Sequence, residues 1–147
     1  MQANFRNLAG RPMELLVAQL AAEYFRAGTK VLIRASSVDR IKALDQALWT
    51  FDAASFLPHG TEEAGQAETQ PVLLTTSGGN PNGAEALLLV DHTVAPDEPD
   101  WQSIDYIFER SDPTAREAAR QQWRLWKDQG HEPVYWQAEA QNWRRAG

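Results

Sequence analysis

The sequence predicts a single α/β domain over residues 1–147, with three α/β/α layers and a mostly parallel or mixed five-stranded sheet. Segments rich in aliphatic residues alternate with segments of helical periodicity, which is typical of helices packed on both faces of a sheet. The length of 147 residues suits one domain, and we find no internal repeat or linker. The 43% hydrophobic and 23% charged residues are typical of a soluble globular chain.

Strands and helices alternate in the first half of the chain. Pro12 suits the first turn of a helix and Gly28 suits its end, and either Ser36 or Ser37 caps a second helix. The aliphatic run KVLIRAS lies between the two helices and predicts a strand. In order, the predicted elements are a weak strand at residues 3–8, a helix at 12–27, a strand at 30–36 and a helix from the serine cap to about Trp49.

The second half begins after a loop at residues 51–70 that is rich in Ala, Gly and Glu. PVLLTTS and ALLLVDH predict strands joined by the turn GGNPNG. Asp112 or Ser111 caps the last long helix, Gly130 ends it, and Pro133 argues against a central position for the final strand. The predicted elements are strands at residues 71–77, 86–92 and 105–111, a short helical piece at 101–104, a helix at 113–129 and an edge strand at 131–137.

Motifs for nucleotide or metal binding are missing from the sequence. The one Gly-Thr-Lys, at residues 28–30, follows a helix and precedes a strand, which is the reverse of a phosphate-binding loop. The three histidines, His59, His92 and His131, share no metal-ligand spacing, and the chain has no cysteine. We therefore expect a Rossmann-like outline without a nucleotide site, and neither a cofactor nor a metal.

Asp91 and His92, at the end of a predicted buried strand, are the best candidates for an enzyme site, because such strand ends often hold ligands. No nucleophile or third partner accompanies them in the sequence. The other interpretation is that both residues satisfy backbone groups at a loop end. A small α/β enzyme is thus the alternative function, and we assign no catalytic residue.

Charge and hydropathy limit the possible partners. The net charge of −6 and the pI of about 5.0 argue against direct binding to nucleic acid, which favours basic domains. The N-terminus lacks the apolar core of a signal peptide, and no apolar run approaches the roughly 20 residues of a membrane span. We expect a cytoplasmic protein without a membrane partner.

The helix at residues 113–129 carries the most informative chemistry. At roughly 100° per residue, a single arc of about 100° contains four cations and one tryptophan: Arg116, Arg120, Trp123, Arg124 and Lys127. The opposite side forms the predicted core face: Ala115, Ala118, Ala119, Gln122, Leu125 and Trp126. One interpretation is a solvated face on which Trp123 lies under arginine stems. The other is a docking site for a short acidic peptide with an apolar anchor.

A second candidate surface lies where the second helix ends. Trp49, Phe51 and Phe56 crowd this helix end and the proline-containing loop that follows it. Either all three aromatic residues fold back onto the core, or they form a hydrophobic patch for a protein partner.

Three segments resemble one known family. They are LDQALWTFDAASFLPHG (44–60), AAEYFRAGTKVLI (21–33) and RQQWRLWKDQG (120–130). Together they resemble the chi subunit of bacterial DNA polymerase III, in which Leu-Asp-x-x-Leu-Trp is followed by Ser-Phe-x-Pro-His. The resemblance extends from about residue 14 to 136, although residues 62–104 match only in pattern.

The resemblance implies a non-catalytic subunit of the replisome that binds two proteins. One is the psi subunit of the clamp loader, for which the interface would include Trp49, Phe51 and Phe56. The other is the acidic C-terminal tail of the single-stranded DNA-binding protein. The tail-binding residues would be Arg116, Arg120, Trp123 and Arg124, with Lys127 on the same face.

Overall fold

The computed structural model describes residues 1–51, 57–91, 101–140 and 142–146, in which eight strands form one sheet. The strands are β1 (Gln2–Asn7), β2 (Val31–Arg34), β3 (Gly60–Thr61), β4 (Val72–Thr75), β5 (Ala86–Leu89), β6 (Ser103–Phe108), β7 (Val134–Ala138) and β8 (Trp143–Arg145). Their order across the sheet is β3-β4-β2-β5-β6-β1-β7-β8. All neighbours are parallel except β7 and β8, which are antiparallel.

Helices cover both faces of this sheet. They are α1 (Met13–Arg26), α2 (Val38–Thr50) and α3 (Pro113–Asp128). Side chains of α1 and α2 pack with Ile33 and Leu88 on one face, whereas α3 packs with Phe5 and Leu87 on the other. Successive residues of a strand point to opposite faces, so each central strand contributes to both cores. The predicted three-layer α/β/α architecture is confirmed.

The predicted number of five strands is wrong, because the sheet has eight. Two of the additional strands, β3 and β8, have only two and three residues. Such short strands leave no readable alternation of apolar and polar residues. The segment around β3 was predicted as a loop, and it also contains two 3₁₀ turns, Glu62–Ala64 and Ala67–Thr69.

Two further predictions differ from the structure. Residues 101–104 are not helical: β6 begins at Ser103, which pairs with Gln2 and Ala86 of the strands on either side. Pairing with two neighbours overrides the local helical preference. The strand near residues 131–137 is not an edge strand, because β7 lies between β1 and β8. Pro133 precedes β7, so the strand does not need its missing N–H.

Helix ends follow the predicted capping residues. The Ser37 hydroxyl accepts a hydrogen bond from the Arg40 N–H at 3.2 Å, and Asp112 accepts from the N–H groups of Thr114 and Ala115 at 3.0 and 3.4 Å. These bonds satisfy N–H groups that have no partner inside the helix. No helix within the described ranges is long and apolar enough to cross a membrane.

Candidate functional site

Helix α3 contacts the sheet through a narrow stripe of side chains. The buried residues of α3 are Ala115, Ala119, Gln122 and Trp126. The two small alanines allow the helix axis to lie close to the sheet, while Trp126 fills the space at the far end, 5.2 Å from Phe5 between ring centroids. The predicted core face wrongly included Leu125, which is 46% exposed. That residue lies on the outer flank of the stripe, where α3 no longer contacts the sheet.

On the opposite flank, Trp123 lies against the sheet among the cations. Its ring packs on Phe5 of β1, with ring centroids 5.1 Å apart, and the side chain is half-buried. Trp123 is therefore neither a core residue nor a fully solvated one. One side of the indole contacts the apolar sheet, and another side borders an open cavity.

This cavity has a volume of about 260 Å³ and lies between α3 and the sheet. Its apolar wall consists of Phe5, Phe108, Ala119, Trp123 and Tyr135, and its exposed rim consists of Arg110, Arg116, Arg120 and Arg124. The volume lies just below the roughly 300–1,000 Å³ of pockets for drug-sized ligands. It therefore suits one or two apolar side chains better than a nucleotide or a similar cofactor.

Most of the cations on this face of α3 and on the cavity rim have no counterion within the described ranges. Arg120 approaches Glu117 at 3.7 Å, but both side chains are more than half exposed, and such pairs contribute about 0–1 kcal/mol. Among the described residues, the side chains of Arg110, Arg116, Arg124 and Lys127 make no ion pair. In a chain with a net charge of −6, this is a local positive surface beside an apolar cavity.

The structure brings four of the predicted α3 residues to the cavity, Arg116, Arg120, Trp123 and Arg124, whereas Lys127 does not line it. Two further lining residues, Arg110 and Tyr135, were missed by the sequence analysis. Arg110 follows β6, and its backbone N–H donates to the Asn7 side chain at 3.0 Å, which holds the turn against β1. Tyr135 of β7 pairs with Phe5 across the sheet. Arg110 lay inside the strand predicted at residues 105–111, and only the end of β6 at Phe108 places it directly after the strand. The position of Tyr135 depends on pairing between strands about 130 residues apart.

The second predicted surface lies at the end of α2, on the opposite face of the sheet. Trp49 is 54% exposed, while Phe51 is half-buried against the core. Phe56 lies outside the described residues. Of the two interpretations, the one in which all three aromatic residues fold back onto the core does not hold at Trp49.

The Trp49 ring is held by a neighbouring histidine. His59 contacts it edge-on with ring centroids 4.9 Å apart. The His59 Nδ1 lies 2.8 Å from the Leu57 carbonyl oxygen, and its Nε2 lies 3.0 Å from an Asp45 carboxylate oxygen. The Nδ1 hydrogen bond orients the imidazole beside Trp49, whereas the Nε2, although close to Asp45, has no hydrogen-bond partner among the described residues.

The strand-end site at Asp91 is occupied by an arginine. The Arg40 Nε donates to the Asp91 carboxylate at 2.8 Å, and its Nη1 donates to Glu14 at 2.5 Å. The hydrogen bond with Asp91 raises the pKa of Arg40. His92 lies outside the described residues. Asp91 thus joins α2 to the sheet, which is a structural use of its carboxylate.

Within the described ranges, no group of three or more His, Asp or Glu side chains is placed to hold a metal ion. The glycines of the GGNPNG turn serve the backbone: Gly79 and Gly83 have φ values of 84° and 64°, a region that favours glycine. The Asn80 side chain closes this turn with two bonds of 2.8 Å to Ala84.

Fold and surfaces define a three-layer α/β protein whose distinctive chemistry is a cation-rimmed apolar cavity on α3. The sequence model of the family described as "DNA polymerase III chi subunit, HolC" matches residues 1–134. The chain belongs to this family.

Curated relatives carry the same name. "DNA polymerase III subunit chi" of Pseudomonas aeruginosa is 30% identical over 118 residues, which are 79% of this chain and 80% of the relative. The Escherichia coli K12 protein of that name is 40% identical over 60 residues, 41% of each chain. "Probable DNA polymerase III subunit chi" of Rickettsia prowazekii is 29% identical over 77 residues, 52% of this chain and 47% of the relative. The chain thus spans less than half the length of the last two relatives.

Proposed function

We propose that this chain is a non-catalytic accessory subunit of the bacterial DNA polymerase III holoenzyme that bridges two proteins during DNA replication. The α3 face binds the acidic C-terminal tail of the single-stranded DNA-binding protein. The Trp49 surface binds the psi subunit and so attaches the chain to the clamp loader. Family membership and the relatives' names support the role in replication.

One observation carries the tail-binding proposal: exposed arginines, most of them without a counterion among the described residues, surround an apolar cavity on an acidic protein. Each exposed ion pair with a tail carboxylate would contribute only about 0–1 kcal/mol. Burying an apolar anchor residue against Trp123 would add roughly 1.5–3 kcal/mol. The arginines therefore steer and orient the tail, and the cavity retains it.

Titration of a labelled acidic peptide that ends in Pro-Phe tests this proposal. We expect Trp123→Ala to weaken binding by about 2 kcal/mol, the usual threshold for an interface hot spot, and Arg120→Ala to weaken it less. Leu125→Ala is the matched control, because Leu125 is an exposed apolar residue on the other flank of α3. Equal affinities for wild type, Arg120→Ala and Trp123→Ala would remove the site assignment.

The psi interface is supported by the exposed Trp49 side chain, whose ring rests against His59. Tryptophan is enriched among the residues that dominate protein interfaces. In a pull-down with the psi subunit, we expect Trp49→Ala to lose psi and keep the acidic peptide. Trp123→Ala should do the reverse. If both variants lose the same partner, the assignment of one partner to each face is wrong.

We also propose that the chain works in the cytoplasm without a cofactor and makes little direct contact with DNA. Because the net charge is −6, bare single-stranded DNA should not be retained at physiological salt. Retention that Arg116→Ala or Arg124→Ala abolishes would instead indicate that the α3 face binds nucleic acid.

A further inference from the structure

A second cavity lies beside α2, away from the α3 face. It has a volume of about 390 Å³ and is bounded by α2, by the chain that follows β3 and by residues 74–77 at the carboxyl end of β4. The volume lies within the roughly 300–1,000 Å³ of pockets for small ligands. Its walls come from three separate segments, so no local pattern of the sequence reveals it.

The floor of this cavity is apolar. Ile41 of α2 and Leu74 of β4 line it and are 7% and 0% exposed. Val38 lines it from the same side of α2, three residues before Ile41, and is 47% exposed. A ligand with an apolar group would cover this valine and displace water from the floor, and removing apolar surface from water stabilises a complex.

The rim of the cavity is acidic. Among the described residues that line it are three carboxylates, those of Asp45, Glu62 and Glu63, and one cation, Lys42. Neither Glu62 nor Glu63 makes an ion pair within the described ranges. The Thr75 hydroxyl donates a hydrogen bond to Glu62, which holds that carboxylate over the end of β4. The cavity therefore carries excess negative charge directly beside apolar surface.

Charge and position together define the class of ligand. The carboxyl ends of parallel strands commonly hold ligands, but the carboxylates here repel the phosphates that such sites often bind. No group of three or more His, Asp or Glu side chains in the described part of the chain is placed to hold a metal ion. A cation on an apolar stem suits both rim and floor. Arginine fits best, because its planar guanidinium pairs with carboxylates through two hydrogen bonds and its stem packs on apolar surface.

We propose that this cavity binds an arginine side chain that a protein partner presents beside an apolar residue. The guanidinium pairs with Glu62 and Glu63. Its stem lies on Ile41 and Leu74, and the apolar neighbour covers Val38. Charge complementarity between an acidic rim and a basic segment selects this occupant over an acidic or a purely apolar one.

The site is distinct from the two surfaces assigned above. The α3 cavity lies on the other face of the sheet and has a cationic rim. Asp45 links the new cavity to the Trp49 surface, because its carboxylate lies 3.0 Å from the His59 Nε2 and the His59 ring contacts Trp49. Glu63 takes no part in that contact. Neutralising Glu63 should therefore leave the binding of psi and of the acidic peptide unchanged.

Four acetylated and amidated tripeptides test the proposal with the full-length chain. Each has leucine at both ends, and the middle residue is arginine, lysine, citrulline or glutamate. We expect the arginine peptide to give saturable NMR shift changes at the backbone amides of Thr76 and Ser77, which line the cavity. The lysine peptide should bind more weakly. Citrulline keeps the shape of arginine without its charge, so its peptide should bind about tenfold more weakly, and the glutamate peptide should not bind.

Glu63→Gln is the main variant, because Glu63 is exposed and its carboxylate makes no bond that the described fold uses. We expect Glu63→Gln and Glu62→Gln each to weaken the arginine peptide by about two- to fivefold, the loss of one exposed ion pair. Glu68→Gln is the matched control. It removes the same charge from an exposed residue that does not line the cavity, and it should leave the affinity unchanged.

Four outcomes would overturn the proposal. The arginine peptide gives no saturable change, or the citrulline peptide binds equally well, in which case the cavity does not select a cation. Glu68→Gln weakens binding as much as Glu63→Gln does, which would show that net charge rather than the cavity attracts the peptide. Finally, Glu63→Gln loses psi in the pull-down as Trp49→Ala does, which would make the cavity part of the psi interface. Tail binding at α3 can hold or fail independently of all four.

Discussion

Two clusters of arginine and tryptophan lie on opposite faces of the sheet, and they differ in whether the arginine has a partner. On the α1 face, Arg6 lies between Trp136 and Trp143, 4.9 and 5.1 Å from the two ring centroids, and its Nε donates to Asp105 at 2.7 Å. On the α3 face, the arginines surround Trp123, and no buried carboxylate pairs with them in the described part of the chain. The exposed fraction is 11% for the Arg6 side chain and 57% for that of Arg120.

The difference shows that residue type alone does not decide what such a cluster does. Arg6 is completed by a carboxylate from β6 and by two rings from β7 and β8, so it holds four strands together. The α3 arginines have the same chemistry, but no buried acid pairs with them among the residues that the structure describes. Charge that a fold leaves uncompensated beside apolar surface is available to a partner.

Removing one arginine from each cluster should give the largest contrast. Arg6→Ala leaves the Asp105 carboxylate, which is 0% exposed, without its counterion. Breaking a buried ion pair in this way destabilises a protein by about 3–5 kcal/mol. Arg120→Ala should change the free energy of unfolding by less than about 0.5 kcal/mol. Urea unfolding of both variants measures the difference, and equal losses would contradict the contrast.

Removing one tryptophan from each cluster should give a smaller contrast with a different readout. Trp136 stacks on Arg6, and its Nε1 donates to Asn4 at 2.9 Å. Losing both interactions should destabilise the fold by about 2 kcal/mol. Affinity for the acidic peptide should stay unchanged in Trp136→Ala and fall in Trp123→Ala. Peptide affinity that falls equally in both variants would show that the two faces are coupled.

Alkaline pH should destabilise the buried cluster around Arg6 and Asp105 but not the exposed cluster on α3. The Tyr24 hydroxyl donates to Asp105 at 2.5 Å, and burial, with the negative charge of Asp105, raises the pKa of Tyr24. The neutral hydroxyl thus contributes its full stabilisation below the ordinary tyrosine pKa of about 10, and this contribution is lost as pH rises above that value toward the folded-state pKa.

Tyr24→Phe should therefore lower the free energy of unfolding by about 1 kcal/mol at neutral pH, and its stability should fall less steeply above about pH 10 than that of the wild type. Burial also raises the pKa of Tyr106. Because Tyr106 is present in both proteins, its titration contributes equally to the two slopes. Urea midpoints across this range measure the two slopes. Parallel slopes would mean that Tyr24 does not titrate with unfolding.

The smallest expected effect is that of one cation on the open face. Arg124→Ala should weaken peptide binding by about 0–1 kcal/mol, and the difference should shrink as salt screens exposed charges. Titrations at low and high ionic strength measure this change. A loss that stays constant with salt would mean that Arg124 contributes by packing rather than by charge.

Much of the fold follows from signals within a few residues of one another. Ser37 and Asp112 cap their helices through bonds that span two or three residues, so the helices were predicted closely. The pairing of the strands was harder to predict from the sequence. Arg6 argues against a strand within the sheet until Asp105, 99 residues away, is placed beside it.

The candidate site also combines features set by neighbouring residues with features set by distant ones. Helical periodicity was enough to place Arg116, Arg120 and Arg124 on one face with Trp123, because the angle between residues of a helix is a local property. Periodicity could not show that Leu125 leaves the core, since that depends on how close α3 lies to the sheet. The binding role of these residues remains a prediction.

The amino-acid sequence by itself determined the order of the three long helices and of the longer strands, the ends of the helices and the cationic arc of α3, because these depend on neighbours along the chain. Only the tertiary structure decided the eight-stranded sheet, the partner of Arg6 and the cavity that Arg110 and Tyr135 line together with Trp123. Those features require strands from both ends of the chain to pair side by side, and nothing within a few residues specifies that pairing.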